Sequence, residues 1–149
     1  MNMFRIVLVL FLLPLAMAAE TKALFTLLPP ERGPELFQQC SRNTPGKVEN
    51  FWRPTTEQVL SLEAALEPFL KSSSRGKSLL PLSRYRRQYI GFTDGNKKYI
   101  YGNFYRADLP PRPSAAQPVN ICDGGESFWG IVYSLESKSF KDLEINGVA

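Results

Sequence analysis

The sequence contains no histidine and only two cysteines among its 149 residues. Without histidine it cannot form a Ser-His-Asp triad, a Cys-His dyad or a metal site with histidine ligands. Two cysteines are too few for a closed zinc site of four thiolates. The Gly-x-Ser-x-Gly motif is absent, and no spacing selects a carboxylate pair for glycoside hydrolysis. We therefore expect no catalytic residues, no metal and no cofactor.

Residues 1–18 have the pattern of a secretory signal peptide. Arg5 gives a positively charged start, Ile6 to Ala16 form an apolar run, and Ala16-Met17-Ala18 is a small-x-small cleavage site. The run is shorter than the roughly 20 residues that a membrane span needs. An uncleaved N-terminal anchor is the alternative. The pattern predicts a periplasmic or secreted protein that keeps no stable membrane anchor after the signal is cleaved.

The two cysteines, Cys40 and Cys122, are the only candidates for a covalent cross-link. An exported protein meets an oxidising compartment, so we expect them to form a structural disulfide. The alternative, a redox-active pair, is disfavoured because the spacing is not C-x-x-C.

The chain divides into three predicted parts: the signal peptide over 1–18, an irregular segment over 19–50 and an α+β domain over 51–149. Proline and glycine interrupt the irregular segment repeatedly. The domain opens with a helix, because Thr55 and Gln58 form a capping box and apolar residues then recur at helical spacing. Pro68 removes a backbone donor, so the helix is predicted to kink or end near Glu67.

Strands are predicted for the rest of the domain. Two β-rich runs flank Asp94-Gly95, which predicts a hairpin with these two residues as its turn and Tyr89 opposite Ile100. Four prolines between residues 108 and 118 predict a long exposed connection. Three further strands are predicted, over Val119 to Cys122, Ser127 to Leu135 and Ser139 to Asn146.

The predicted fold is α+β, with one long helix packed on a four- to five-stranded antiparallel sheet. Over about residues 52–146 this element order resembles that of cystatin-like folds, in which a helix lies across a curved antiparallel sheet. The resemblance implies a scaffold and no single function, since such scaffolds serve as inhibitors, ligand pockets and enzymes.

One candidate for partner binding is the sequence Asp123-Gly124-Gly125-Glu126. Two glycines permit positive φ angles and close approach of a partner's backbone, and two carboxylates can bind a basic group. The alternative is an ordinary tight turn beside the disulfide. A calcium site is not expected, since calcium needs six to eight oxygen ligands.

A second candidate is the stretch from Lys71 to Arg87, which contains basic residues and no acidic one. Such a stretch attracts an acidic protein or an anionic envelope polymer by long-range electrostatics. Nucleic acid is not an expected partner outside the cell. A solvated charged face is the alternative. The residues chosen for partner contact are Arg84, Arg86 and Arg87.

Aromatic residues supply the third candidate surface, for which Trp129, Tyr99 and Tyr101 are chosen. Tryptophan and tyrosine frequently anchor protein interfaces. The alternative places them in the core, because aromatic side chains favour sheets.

Together these features predict an exported, non-enzymatic binding protein, an inhibitor or immunity-like partner of an envelope or secreted enzyme. The alternative is a small-ligand carrier or pocket enzyme of NTF2-like type. That alternative requires a deep, closed cavity lined by Tyr85, Tyr89, Phe104 and polar groups, whereas a filled core with a flat exposed aromatic patch favours the first hypothesis.

Overall fold

The computed structural model describes residues 25–109 and 116–148 as an α+β fold built on one sheet. The strand order is β1-β3-β4-β5-β6, and β2 also pairs with β3. The strands are β1 (Phe25–Leu27), β2 (Asn50–Trp52), β3 (Tyr85–Asp94), β4 (Lys97–Arg106), β5 (Phe128–Ser134) and β6 (Ser139–Ile145).

The sheet has more strands than predicted because β1 and β2, of three residues each, pair with successive parts of the same edge of β3. It is also mixed, since β1 runs parallel to β3. Within residues 25–109 and 116–148 there are two α-helices, α1 (Gly33–Leu36) and α2 (Thr56–Ser72). The predicted α+β class is confirmed, and its single helix is corrected to two.

The start of α2 follows the predicted capping box. Thr55 Oγ1 accepts a hydrogen bond from Gln58 N at 3.2 Å, and Gln58 Oε1 accepts one from Thr55 N at 2.9 Å. The helix does not end near Glu67; it continues through Pro68 to Ser72. Burial of Leu70 beyond the proline explains this, because it offsets the one lost backbone bond.

The β3–β4 hairpin differs from its predicted register by two residues. Asp94 pairs with Lys97, so the turn residues are Gly95 and Asn96. Gly95 has a φ of 58°, the positive value that glycine adopts at the first central position of a type II′ turn. The shift is even, so each side chain stays on its predicted face of the sheet.

The first face of the sheet is covered by α2. The buried apolar residues of the helix form one core cluster with side chains from β3, β4, β5 and β6. Within it, the Phe104 and Trp129 rings stack with centroids 3.7 Å apart. The helix members are Val59, Leu62, Leu66 and Leu70.

The second face is covered mainly by irregular backbone, which includes the single turn of α1. Leu28 and Leu36, from residues 28–49, pack in a second core cluster with sheet residues. The sheet members of this cluster are Ile90, Phe92, Tyr99, Tyr101 and Val132. We call residues 28–49 the N-terminal cover. The division of the chain at residue 51 stays a prediction.

Residues 117–123, which we call the strap, complete the covering of the second face. The strand predicted over Val119 to Cys122 does not form, and side-chain amides bond the strap's carbonyls in place of a neighbouring strand. Pro118 lacks an N–H and the strap lies over the face of the sheet, so a backbone ladder is excluded. The donors are Gln88 to Gln117 O at 2.6 Å, Asn103 to Val119 O at 2.9 Å and Asn146 to Ile121 O at 2.7 Å.

The cover and the strap are joined to each other covalently. Cys40 and Cys122 form a disulfide with their Cα atoms 5.3 Å apart, which confirms the predicted pairing. Arg42 reinforces the junction: it donates to Tyr101 Oη at 3.2 Å and to the side-chain oxygens of Asn103 and Asn146. The two covering segments therefore act as one unit.

The predicted signal peptide lies outside the described residues. Among residues 25–109 and 116–148, no helix has the length and apolar character that crossing a membrane requires.

Removing the disulfide tests how strongly this unit is held. The bridge closes a separation of 82 residues, for which loop entropy gives about 4 kcal/mol of stabilisation. We expect the double variant Cys40→Ser and Cys122→Ser to lose about that free energy of unfolding in urea denaturation. Chemically reduced wild type is the matched control and should lose a similar amount. A loss below about 1 kcal/mol in both would contradict the proposed role of the bridge.

Candidate functional site

The sequence Asp123-Gly124-Gly125-Glu126, which we call the acidic loop, has an unusual backbone. Three successive residues have positive φ: Asp123 at 63°, Gly124 at 84° and Gly125 at 52°. Such a run is accessible to glycine and, at a smaller cost, to aspartate. The loop follows the disulfide directly and leads through a 3₁₀ turn (Gly125–Ser127) into β5.

Hydrogen bonds from three directions fix the acidic loop. Gly125 N donates to Gly147 O at 3.0 Å, and the Asn146 amide donates to Asp123 O at 2.9 Å. The Tyr85 hydroxyl donates to Glu126 O at 2.8 Å. The loop is therefore held in one conformation by β3, by the end of β6 and by the bridge.

The two carboxylates of the acidic loop differ in their surroundings. Asp123 is half-buried and accepts a hydrogen bond from Ser41 Oγ at 3.4 Å. Glu126 is exposed, and within the described part of the chain its carboxylate forms no ion pair. Glu126 is therefore the carboxylate that the loop presents to solvent.

The three candidate arginines lie in different environments. Arg84 and Arg86 are exposed on either side of Tyr85, whose hydroxyl reaches the acidic loop. Arg87 is buried, and its Nε lies 3.0 Å from Glu63 Oε1 on α2. All three arginines thus lie at the end of the sheet nearest the acidic loop, but only Arg84 and Arg86 are exposed there.

Arg87 belongs to a buried polar group between α2 and the sheet. The Tyr89 hydroxyl donates to Glu63 Oε1 at 2.7 Å, the oxygen that also faces Arg87. Burial, with the Glu63 charge beside it, raises the pKa of Tyr89 well above its usual value of 10. Arg87 is buried and paired with Glu63 of α2, so its guanidinium is not accessible at the surface.

The candidate aromatic residues lie in the core. Trp129, Tyr101 and Tyr99 are 0%, 1% and 7% exposed. Aromatic side chains are distributed over both faces of this sheet, and both faces are covered, so alternation in the strand does not bring any of the three to the surface. Of the candidate residues, Glu126 of the acidic loop and the arginines Arg84 and Arg86 are the exposed ones.

The sequence did not point to two candidate residues, Arg106 and Asp108, which pair with each other at the end of β4. Arg106, at the end of β4, donates through Nε to Asp108 Oδ1 at 2.9 Å, and Arg84 Nη2 lies 3.3 Å from Asp108 Oδ2. The hydrogen bond from Arg106 lowers the pKa of the Asp108 carboxyl to about 2. The only sequence signal is an Arg-x-Asp spacing next to a strand end, which is too common to single out.

A Ser-x-x-Lys spacing, the pattern of one class of serine enzymes, occurs at Ser74 to Lys77. Both side chains are exposed in the turn that follows α2. An exposed turn does not hold a serine and a lysine on one helix face, as that chemistry requires, so the spacing assigns no catalytic role.

No protein-family model matches this chain, and neither a curated protein nor a solved structure is detectably similar to it. Its function must therefore be inferred from its own residues.

Replacing glycine tests how tightly the acidic loop is built. A Cβ at Gly124 would lie 2.6 Å from the Phe128 ring, whereas a Cβ at Gly95 would meet nothing within 4 Å. Both residues have positive φ, so Gly95→Ala serves as the control for backbone strain alone. We expect Gly95→Ala to cost about 1 kcal/mol of unfolding free energy and Gly124→Ala about 2–4 kcal/mol. If the two variants lose equal unfolding free energy, the added Cβ at Gly124 does not clash with the Phe128 ring, which would contradict a tightly packed loop.

Tyrosine ionisation reports the packing of both faces. Burial raises the pKa of four tyrosines, Tyr85, Tyr89, Tyr101 and Tyr105. Because the folded pKa is the higher one, their stabilisation is complete below pH 10 and is lost as pH rises beyond it. We expect absorbance at 295 nm to show these four ionising above pH 10, with the unfolding free energy falling there. Six tyrosines titrating together near pH 10 in folded protein would contradict this.

Proposed function

We propose that this protein is exported and acts as a non-enzymatic binding protein, an inhibitor or immunity-like partner of an envelope or secreted enzyme. The observation that carries the proposal is the acidic loop, which is anchored by three hydrogen bonds while Glu126 is exposed. A preorganised loop loses little conformational entropy on binding, which is the property that tight protein–protein recognition needs.

Two features support a location outside the cytoplasm. The Cys40–Cys122 disulfide fits a non-reducing compartment. Residues 1–18 carry the pattern of a cleaved signal. We include in the proposal a cystatin-like arrangement in which α2 is the helix across the sheet, supported by the core cluster that α2 shares with the first face.

Packing of the first face favours binding at the surface over a ligand pocket. The alternative function needs Tyr85, Tyr89 and Phe104 to line a cavity. Instead the Tyr85 ring meets Trp129 edge-on with centroids 5.5 Å apart, and the Tyr89 ring meets Phe104 at 5.9 Å. Aromatic rings in mutual contact leave these side chains without a ligand-sized space between them.

The test uses the disulfide-bonded protein as bait in extracytoplasmic extract of the source organism. Glu126→Lys reverses the charge of the exposed loop carboxylate, and Glu136→Lys makes the same change in the exposed β5–β6 turn. We expect wild type and Glu136→Lys to recover one stoichiometric partner, and Glu126→Lys to recover at least tenfold less.

Two results would refute the proposal. One is the absence of any stoichiometric partner at low salt. The other is equal recovery by the two variants, which would show that binding does not use the acidic loop.

A further inference from the structure

Two arginine side chains converge on one carboxylate at the end of the sheet. Arg106 approaches Asp108 through both Nε and Nη2, with Nε to Oδ1 at 2.9 Å, and Arg84 Nη2 lies 3.3 Å from Oδ2. A guanidinium that contacts both oxygens of a carboxylate forms the bidentate geometry typical of carboxylate recognition. We call Arg84 and Arg106 the arginine clamp.

The carboxylate that fills the clamp belongs to Asp108, an exposed residue close to Arg106 in the sequence. Asp108 follows Arg106 by two residues, and its side chain is 47% exposed, while that of Arg84 is 54% exposed. Solvent screens an ion pair between exposed side chains, so another carboxylate can replace Asp108 in the clamp. The clamp is thus accessible to a competing anion.

The charge at the clamp favours a second anion. Two guanidinium groups face one carboxylate, which leaves a net positive charge at the clamp. Arg86 adds to this field, because it is exposed and, among the described residues, forms no ion pair. Positive fields of this kind raise the local concentration of acidic ligands.

The clamp also lies beside the acidic loop. Arg106 pairs with Tyr85 across β3 and β4, and the Tyr85 hydroxyl donates to Glu126 O in the loop. A partner that contacts Glu126 therefore has the clamp within reach on the same end of the molecule.

We propose that the arginine clamp binds a carboxylate of an acidic partner protein, and that Asp108 occupies the clamp as an internal competitor until the partner displaces it. This inference rests on the proposed function, because it names the group on the partner that the binding end recognises. The geometry already fits a carboxylate, since Asp108 is one.

A decaglutamate peptide, titrated into the full disulfide-bonded protein, tests the clamp without the natural partner. The readouts are the dissociation constant and the Nε–Hε NMR signals of Arg84 and Arg106. Asp108→Asn removes the competitor, and Glu136→Gln, in an exposed turn, makes the same change in net charge elsewhere. We expect roughly two- to fivefold tighter binding by Asp108→Asn, because a solvent-screened internal carboxylate competes only weakly for the clamp.

A double variant and the NMR signals test whether the two arginines bind the peptide. Tighter binding should be lost in the double variant Asp108→Asn and Arg84→Gln, and both arginine signals should shift on titration in Asp108→Asn. Equal affinities of Asp108→Asn and Glu136→Gln, or unmoved arginine signals, would overturn the proposal. If the peptide fails while the bait still recovers a partner through Glu126, the clamp is refuted and the binding function stands. If the peptide binds as expected and no partner is recovered, carboxylate binding by the clamp is supported and the proposed binding function is refuted.

Discussion

The structure depends on hydrogen bonds to the backbone carbonyls of the strap, which covers part of the second face of the sheet without secondary structure. A helix carries its own hydrogen bonds onto an apolar surface, but an extended segment does not, and burying unpaired carbonyls is costly. Here Gln88, Asn103 and Asn146 supply the missing donors to alternate carbonyls of the strap. These buried amides therefore allow the strap, which forms neither helix nor strand, to cover part of the second face.

The properties of the acidic loop follow from that covering. The loop continues directly from the strap, so the amide of Asn146 that fixes Ile121 O also fixes Asp123 O. The disulfide at Cys122 then ties the same segment to the N-terminal cover. A loop with such supports on one side can present Glu126 on the other without any secondary structure of its own. The proposed recognition and the stability of the fold therefore depend on the same few residues.

Local signals in the sequence predicted local structure well. The capping box placed the start of α2, and the hairpin signal placed Tyr89 and Ile100 on the same face, because both depend on residues close in the sequence. The strap was mistaken for a strand because its partners are side chains far away in the sequence. Alternation also cannot tell a covered face from an open one, which is why buried aromatics were offered as surface candidates. Alternation also cannot detect the two-residue shift in the hairpin register, because an even shift leaves every side chain on the same face of the sheet.

The separation of the two cysteines has a consequence for the order of folding. The N-terminal cover is synthesised before β3, β4 and β5, so its apolar side chains have no sheet to pack against when they first appear. Contacts between residues so distant in sequence form late, since the entropy of closing a long loop must be overcome first. We therefore expect the second face to close late in folding, and oxidation of Cys40 and Cys122 to fix a conformation that the rest of the chain has already reached.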